Sequence, residues 1–286
     1  MLCIYHIADH DGKGSAAIVG RKFGEVEFFG LNHDMDVPWE EINRHEQIVI
    51  CDIALPMDVM FELNESKDLT WIDHHASVIE AYDVAMTQGK RAIKGVRKNG
   101  TAAIVLTWQY FFPDDPLPEG VKLLGLNDLY DLRDKRVRPF EYAFQSLGVN
   151  KPADSSWKDL FAGRMDIKEM VKKGEAILSY IKNRNHRLCK AMSFESSYKG
   201  MTCICANMPQ GYSEFYDSMR NIKNYAFMCN FFMNGKNSWN LSFYTARDDV
   251  DVSKIAAEFG GGGHKKASGA SGLKELPEFL QRKMQS

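Results

Sequence analysis

The amino-terminal third of the chain places four short apolar segments between stretches that have helical spacing. The segments are residues 2–7, 26–31, 47–53 and 69–73, and three of them lack clean alternation of apolar and polar side chains. Strands of this kind are buried on both faces, as in a parallel sheet with helices on each side. The sequence therefore predicts an α/β fold with a doubly wound, mainly parallel sheet.

The pattern changes along the chain in a way that predicts two domains. Residues 166–189 are polar, charged and free of proline, which indicates a long amphipathic helix. Short strand-like segments follow, at residues 201–207, 225–233 and 237–245, and then a helix over 251–259 that opens into a glycine run. We expect a larger catalytic domain over residues 1–165, a helical linker over 166–191 and a smaller α+β domain over 192–286.

Length, charge and cysteine content exclude several classes of protein. A chain of 286 residues buries a large core without disulfides, and a formal net charge of −2 gives no reason to expect binding of long nucleic acid. Its six cysteines include no Cys-x-x-Cys pair, which is typical of reduced, buried thiols. We also expect no signal peptide, and no apolar run approaches the ~18 residues of a membrane span. The sequence thus indicates a soluble, cytoplasmic protein.

Acidic and imidazole side chains follow three of the four predicted strands. They are His6, Asp9 and Asp11 after the first strand, Asp52 at the end of the third, and Asp73, His74 and His75 at the end of the fourth. Taken singly, each is also explained by an ordinary turn, a helix cap or a surface pair. Together they meet at one sheet edge, where unpaired charge is costly and divalent cations remove that cost. Mixed oxygen and nitrogen donors suit Mn²⁺, Fe²⁺, Co²⁺ or Mg²⁺, so the sequence predicts a shared metal centre.

Taken in order along the chain, these motifs resemble those of the DHH phosphoesterase family. The matching pieces are HIADHDG from His6, the single Asp52, DHH from Asp73, NDLYDL from Asn127 and GGGGH from Gly260. The last piece resembles the glycine-rich signature of the DHH-associated substrate-binding domain. The resemblance covers nearly the whole chain in order and spacing, and it implies a phosphoesterase with these two domains.

The resemblance implies two divalent metal ions, most readily Mn²⁺, with defined ligands. His6 and Asp9 would hold one ion, Asp11 and His74 would hold the other, and Asp52 would bridge both. These five side chains form the expected core of the catalytic centre.

The resemblance also assigns roles to the remaining acidic and imidazole groups. Asp131 would complete the second metal site, and Asp128 is the alternative. Asp131 is preferred because the family's aspartate commonly precedes a leucine. The alternative role for Asp131 is a carboxylate at a helix end, paired with Arg133 or Lys135. Asp73 would orient a neighbouring histidine rather than touch metal. His75 would face the substrate as a phosphate contact or a proton donor.

A centre with two metal ions favours phosphoester hydrolysis without a covalent nucleophile. Two cations about 3.5–4 Å apart acidify a bound water and hold the phosphoryl oxygens of an in-line displacement. The sequence contains no Gly-x-Ser-x-Gly nucleophile elbow, and the Gly12-to-Ser15 segment lacks the spacing of a phosphate-binding P-loop. Water activated by metal is therefore the expected nucleophile.

The second domain is expected to bind the substrate. Free backbone amides in the glycine run suit an anion, and the resemblance implies that Gly261, Gly262, Gly263 and His264 grip a nucleotide phosphate. Relatives that degrade very short RNA often carry Ser-Leu-Arg-Ser in the preceding strand, where this chain has Tyr244 in the arginine position. Arg247 is a candidate to compensate. Tyr244 is either a base-stacking side chain or an ordinary strand aromatic.

The expected function is a manganese-dependent phosphodiesterase that hydrolyses short oligoribonucleotides or linear dinucleotides to mononucleotides. Alternatives are an exopolyphosphatase, a 3′-phosphoadenosine phosphate phosphatase and a nucleotide sensor that binds without turnover. Expected partners are short RNA or dinucleotides, with no long nucleic acid and no membrane, and a homodimer stays open. Two basic groups, over residues 90–98 and 133–138, either line the cleft or form solvated faces.

Overall fold

The first part of the chain folds around one parallel sheet. The computed structural model describes residues 1–33, 35–209, 213–219 and 221–281, and it divides the chain into two compact units, Met1–Leu178 and Ser179–Ser286. The strands of the first unit are β1 (Leu2–His6), β2 (Glu27–Leu31), β3 (Gln47–Cys51) and β4 (Asp68–Ile72). They lie in the order β2-β1-β3-β4 and every pair is parallel. All four carboxyl ends therefore share one edge of the sheet.

Helices cover both faces of this sheet. They are α1 (His10–Phe23), α2 (Trp39–Asn43), α3 (Met57–Ser66), α4 (Ala76–Thr87), α5 (Ala103–Phe111), α6 (Glu119–Asp128), α7 (Val137–Gln145), α8 (Ser155–Phe161) and α9 (Ile167–Met192). Cys3, Tyr5 and Val49 point into a core shared with α1, α5 and α6. Their neighbours Ile4 and Ile48 point into a second core shared with α3 and α4. The doubly wound α/β prediction is confirmed.

The long helix predicted over residues 166–189 is α9. Its first residues, among them Ile167 and Val171, pack on the core of the first unit, and Cys189 near its end belongs to a core of the second. The division between the units falls inside this helix, after Leu178. The domain limits at residues 165 and 192 stay a prediction. No helix in the described ranges has the length and apolar character needed to cross a membrane.

The second unit is built on a mixed sheet. Its elements are β5 (Ser193–Tyr198), β6 (Met201–Asn207), β7 (Phe227–Met233), β8 (Trp239–Tyr244), α10 (Val252–Ala257), β9 (Gly262–Gly263), β10 (Ala267–Leu273) and α11 (Glu278–Gln281). The strand order is β5-β6-β7-β8-β10-β9, and of these pairs only β6 with β7 is parallel. Phe227 and Phe243 lie in a core with Val252 of α10 and Leu280 of α11.

Candidate metal centre

The loop between β1 and α1 is held by its own carboxylates. Asp9 caps α1 by accepting from the backbone amides of Asp11 at 3.0 Å and Gly12 at 3.3 Å. Asp11 is buried and accepts from the amides of Ala103 and Ile104, both at 2.8 Å, at the start of α5. These bonds satisfy amides that have no partner inside their own helices. Two helix starts therefore fix the positions of both carboxylates.

Gly12 lets α1 begin directly against the end of β1. A Cβ atom at this position would lie 2.1 Å from the carbonyl oxygen of His6. Only glycine avoids that overlap without movement of the backbone. The close approach keeps His6 next to the carboxylates that follow it.

Asp52 lies at the middle of the cluster. It follows β3 with a positive φ of 60° and is 2% exposed. His6 Nδ1 lies 3.5 Å from its Oδ2, and His74 Nε2 lies 3.3 Å from its Oδ1. The Oδ1 atom is buried and has no hydrogen-bond partner among the described residues. Each oxygen of this carboxylate therefore faces a different imidazole.

Three groups of possible ligands among the described residues meet around Asp52. Donor atoms lie within 4.8 Å of one another in His6, Asp9 and Asp52, in Asp11, His74 and Asp128, and in Asp52, His74 and His75. Donor atoms this close to one another can bind the same cation.

The types of donor atom in the cluster fit divalent cations. So does the lack of hydrogen bonds, among the described residues, to two of its carboxylate oxygens. His74 Nε2 lies 3.6 Å from Asp11 Oδ2 and 3.5 Å from Asp128 Oδ2. Asp128 Oδ2 is buried and, among the described residues, without a hydrogen-bond partner, as is Asp52 Oδ1. Buried unpaired carboxylate oxygens are costly, and a cation supplies the missing interaction.

Asp73 fixes the positions of His74 and His75 through hydrogen bonds. It is fully buried and accepts from the amides of His74 at 2.7 Å and His75 at 3.0 Å. His75 Nδ1 donates to the same oxygen at 2.7 Å, and Trp71 Nε1 donates to the other at 3.2 Å. The hydrogen bond to Asp73 raises the pKa of His75 to about 9. Asp73 is thus engaged within the protein, and Nε2 of His75 is the ring atom left for an outside partner.

In the structure Asp128, and not the expected Asp131, lies among the possible ligands of the cluster. Asp128 is the last residue of α6 and reaches the cluster, whereas Asp131 is bound by Arg133, whose Nε lies 2.8 Å from Oδ1. That contact lowers the pKa of Asp131 to about 2. Tyr130, between them, has a positive φ of 54°. The chain turns at that residue, and Asp131 lies with Arg133 instead of at the metal cluster.

The cluster without metal is crowded with negative charge. Burial, followed by repulsion from Asp52 and Asp128, raises the pKa of Asp11 well above its ordinary value. Burial raises the pKa of Asp128 to about 7; repulsion from Asp52 and Asp9 adds to this effect, and His74 opposes it. Burial alone would lower the pKa of His6 and of His74. The neighbouring carboxylates have the larger effect, so both pKa values are raised. Protons therefore compete with cations for this centre.

His33 also lies beside the cluster, and sequence reasoning missed it. It follows β2, and its ring centroid lies 5.2 Å from that of His6 and 6.4 Å from that of His75. The signal that would have found it is its place just beyond a strand that shares the same sheet edge.

The glycine run of the second unit forms a tight hairpin edge, in which β9 pairs with β10. A Cβ atom on Gly261 would lie 2.0 Å from the carbonyl oxygen of Gly269, and one on Gly263 would lie 2.7 Å from Ser268 Cα. His264 and Ala267 close the turn through reciprocal backbone hydrogen bonds. The exposed His264 therefore sits at the turn, and its substrate-binding role, with that of Gly262, stays a prediction.

The other two predicted substrate contacts have partners within the second unit. Tyr244 ends β8 and packs partly buried against a core that contains Met228 and Tyr216. The guanidinium of Arg247 binds Asp249, with Nε 2.9 Å from Oδ1. Roles for Tyr244 and Arg247 in substrate binding stay predictions.

Most charges of the two basic groups are engaged locally. Arg133 and Arg136 bind Asp131 and Asp134, and Lys94 binds Asp68. Arg97 lies 4.7 Å from the centroid of the Tyr82 ring and donates to backbone carbonyls, so it supports the fold. These contacts favour paired surface faces over a cleft lined with free cations.

Comparisons with known proteins agree with the geometry. The model of the DHHA1 domain matches residues 206–285. The chain is 23% identical to oligoribonuclease NrnB of Bacillus subtilis, over 97% of this chain and 75% of that protein. It is 24% identical to the uncharacterized protein R106 of Acanthamoeba polyphaga mimivirus, over 96% of this chain and 69% of that one. These similarities support the resemblance of the chain to the DHH phosphoesterase family.

Solved structures of DHH-family proteins share the fold of this chain. The pGpG-specific phosphodiesterase PggH from Vibrio cholerae superposes with a TM-score of 0.54 at 10% identity, covering 99% of this chain and 97% of that one. RecJ of Thermus thermophilus, solved with Mn²⁺, gives a TM-score of 0.51 at 14% identity, covering 99% of this chain and 51% of that one. DHH-family enzymes are metal-dependent, and the carboxylate and histidine cluster of this chain is suited to that requirement.

Proposed function

We propose that this DHH phosphoesterase is a phosphodiesterase that uses two divalent ions, most readily Mn²⁺, to hydrolyse short oligoribonucleotides or linear dinucleotides to mononucleotides. The observation that carries the proposal is the position of Asp52, whose two carboxylate oxygens face two separate groups of ligands. A shared carboxylate of this kind suits a pair of ions held close together.

The residues of the cluster would act as ligands of two ions. His6 and Asp9 would hold one ion, while Asp11, His74 and Asp128 would hold the other, and Asp52 would bridge them. Bound ions of this kind acidify a water molecule and neutralise the phosphoryl oxygens.

Asp73 would support the reaction by fixing the orientation of the His75 ring. Through its 2.7 Å hydrogen bond it keeps His75 protonated at Nδ1 and favours the charged ring. His75 can then donate a hydrogen bond or a proton from Nε2 to the substrate.

The substrate class is inferred from the relatives and from charge. NrnB, whose name states an oligoribonuclease, aligns over 97% of this chain, and PggH is titled a pGpG-specific phosphodiesterase. A net charge of −2 and locally paired basic groups offer little to a long polyanion. We place the protein in the cytoplasm, because all six cysteines are free and buried.

A length series tests the proposal. Purified protein loaded with Mn²⁺ is incubated with 5′-phosphorylated RNA of two nucleotides and upward, with matched DNA, with polyphosphate and with 3′-phosphoadenosine phosphate. We expect the diribonucleotide to be hydrolysed fastest and to yield mononucleotides. Release of phosphate from polyphosphate or from 3′-phosphoadenosine phosphate alone would replace the proposal with one of the alternatives. Tight dinucleotide binding without product would indicate a sensor.

A further inference from the structure

We propose that His33 contacts the phosphate group of the substrate at the metal centre and is not a metal ligand. The inference rests on the proposed phosphodiesterase function and adds a substrate contact just beyond β2, in the segment before α2, where no described residue belongs to a group of possible metal ligands.

The first argument is the position of the ring. His6, His33 and His75 form a row of imidazoles, with centroids 5.2 Å apart between His6 and His33 and 6.4 Å apart between His33 and His75. The side chains of His6 and His75 are 12% and 28% exposed, whereas His33 is exposed. His33 is thus the member of the row that faces solvent, from which a substrate must approach.

The second argument separates His33 from the metal ligands. Within the described part of the chain, the groups whose donor atoms come within 4.8 Å of one another include His6, His74 and His75 but not His33. The backbone amide of His33 donates to Asn32 Oδ1 at 3.0 Å, which fixes the start of the loop. The His33 ring lies beside the metal centre but belongs to none of the groups of possible ligands in the described part of the chain.

The third argument is chemical. An imidazole ring carries at least one N–H donor for an anionic oxygen, whether it is neutral or charged. A phosphate held by metal ions beside Asp52 would bring such oxygens to this row of rings.

Three variants test the contact. His33→Ala removes the ring, and His33→Gln keeps an N–H donor at a similar reach. His45→Ala is the matched control, because His45 binds Glu27 at the opposite, amino end of β2. Thermal unfolding of each variant verifies that it folds.

Two binding measurements come before any assay of turnover. Calorimetric titration with Mn²⁺ should give the same stoichiometry and affinity for His33→Ala as for the unchanged protein. Titration of the Mn²⁺-loaded protein with inorganic phosphate should show about tenfold weaker binding in His33→Ala, the loss of one charge-assisted hydrogen bond. His33→Gln should recover part of that loss, and His45→Ala should bind phosphate normally.

The kinetic measurement uses the diribonucleotide. We expect His33→Ala to raise KM by about tenfold while kcat changes less. Loss of a metal ion in His33→Ala would make the residue a ligand, and unchanged phosphate affinity together with unchanged KM would remove it from the site; either result overturns the inference. If the unchanged protein fails to cleave any dinucleotide, the proposed function fails, and the phosphate titration still decides the role of His33.

Discussion

At the scale of single residues, Asp52 combines three properties that each carry a cost. Its side chain is buried, its backbone has a positive φ, and one of its oxygens has no hydrogen-bond partner among the described residues. Such features persist where the surrounding structure imposes them, and they concentrate at functional sites. The two imidazoles that face Asp52 outweigh the effect of burial and lower its pKa, so the carboxylate stays charged for cations.

Replacement of Asp52 by asparagine should disable both metal sites at once. Asp52→Asn keeps the shape of the side chain but removes the charge that two ions would share. We expect weak binding of both ions and a fall in turnover of at least about 100-fold. Metal content and hydrolysis of the diribonucleotide measure this, with Asp58→Asn on the exposed start of α3 as the control. Near-normal turnover with two ions still bound would falsify the bridging role.

The two rival aspartates make a matched pair for a second test. Asp128→Asn should weaken Mn²⁺ binding and turnover by at least about tenfold, because it removes a ligand charge. Asp131→Asn should leave both close to normal, since its carboxylate binds Arg133. Metal titration and kinetics of the two variants decide the matter. The opposite order of effects would return Asp131 to the centre.

The contrast between these residues shows what the sequence can and cannot reveal. The strand-end rule brings together His6, Asp52 and His74, because the carboxyl ends of parallel strands must meet. The choice between Asp128 and Asp131 depends on where α6 ends and how Tyr130 turns, and no residue pattern specifies either with certainty.

At the scale of elements, a buried hydrogen bond joins α1 to α7 beside the loop that carries Asp9 and Asp11. His10 Nδ1 lies 2.9 Å from Glu141 Oε1, and both side chains are about nine-tenths buried. The His10 ring contacts Phe144 and Trp157 edge-on, and Gln145 donates to the same Glu141 oxygen. Because His10 stands between Asp9 and Asp11, this pair positions both carboxylates.

Loss of the Glu141 carboxylate should weaken both the fold and the metal site. Glu141→Ala leaves the buried His10 ring without its partner, which costs about 1–3 kcal/mol of unfolding free energy. Glu141→Gln keeps an acceptor and should lose less. Denaturant unfolding and Mn²⁺ titration measure the two effects, with Glu80→Ala on the exposed face of α4 as the control. Unchanged Mn²⁺ affinity in Glu141→Ala would show that the pair does not position the loop.

Neighbouring glycines of the β9 hairpin should respond differently to alanine. At Gly261 a Cβ atom would overlap a backbone oxygen, whereas at Gly262 it would meet nothing within 4 Å. We expect Gly261→Ala to lower the free energy of unfolding of the second unit by about 1–3 kcal/mol. Gly262→Ala should stay within about 0.5 kcal/mol. Denaturant curves of both variants test this, and equal stability would contradict the tight packing of the hairpin.

Two strands that sequence reasoning missed share one physical property. β5 has the sequence SFESSY and β10 has ASGASGL, so neither shows the apolar alternation that identifies a half-buried strand. Each forms because a neighbouring strand offers backbone hydrogen bonds, β6 to β5 and β8 to β10. The apolar strands of both units were visible because their own side chains build the cores.

At the scale of the whole molecule, stability without metal should depend on pH. Asp128, with its pKa raised from 3.8 to about 7, binds protons more tightly in the folded state. The stability that it contributes is complete below pH 4 and is lost as the pH rises through 7. The raised pKa values of Asp11, His6 and His74 act in the same direction, and the lowered pKa of Asp52 opposes them.

We therefore expect the Tm of the chelated protein to fall between pH 6 and pH 8. Added Mn²⁺ should raise the Tm by a larger amount at pH 8, because cations then replace protons that have left. Thermal unfolding with chelator and with Mn²⁺ at pH 6, 7 and 8 provides the measurement. A metal-induced rise in Tm that shrinks with increasing pH would contradict this account of the cluster.

The bonds from Asp11 to the first amides of α5 span more than ninety residues of chain. A truncated amino-terminal piece ending before Ala103 would keep most of the coordinating groups, yet it would lack those amides and Asp128. The proposed ligands can consequently come together only after α5 and α6 have left the ribosome, once residue 128 of the 286 has been released.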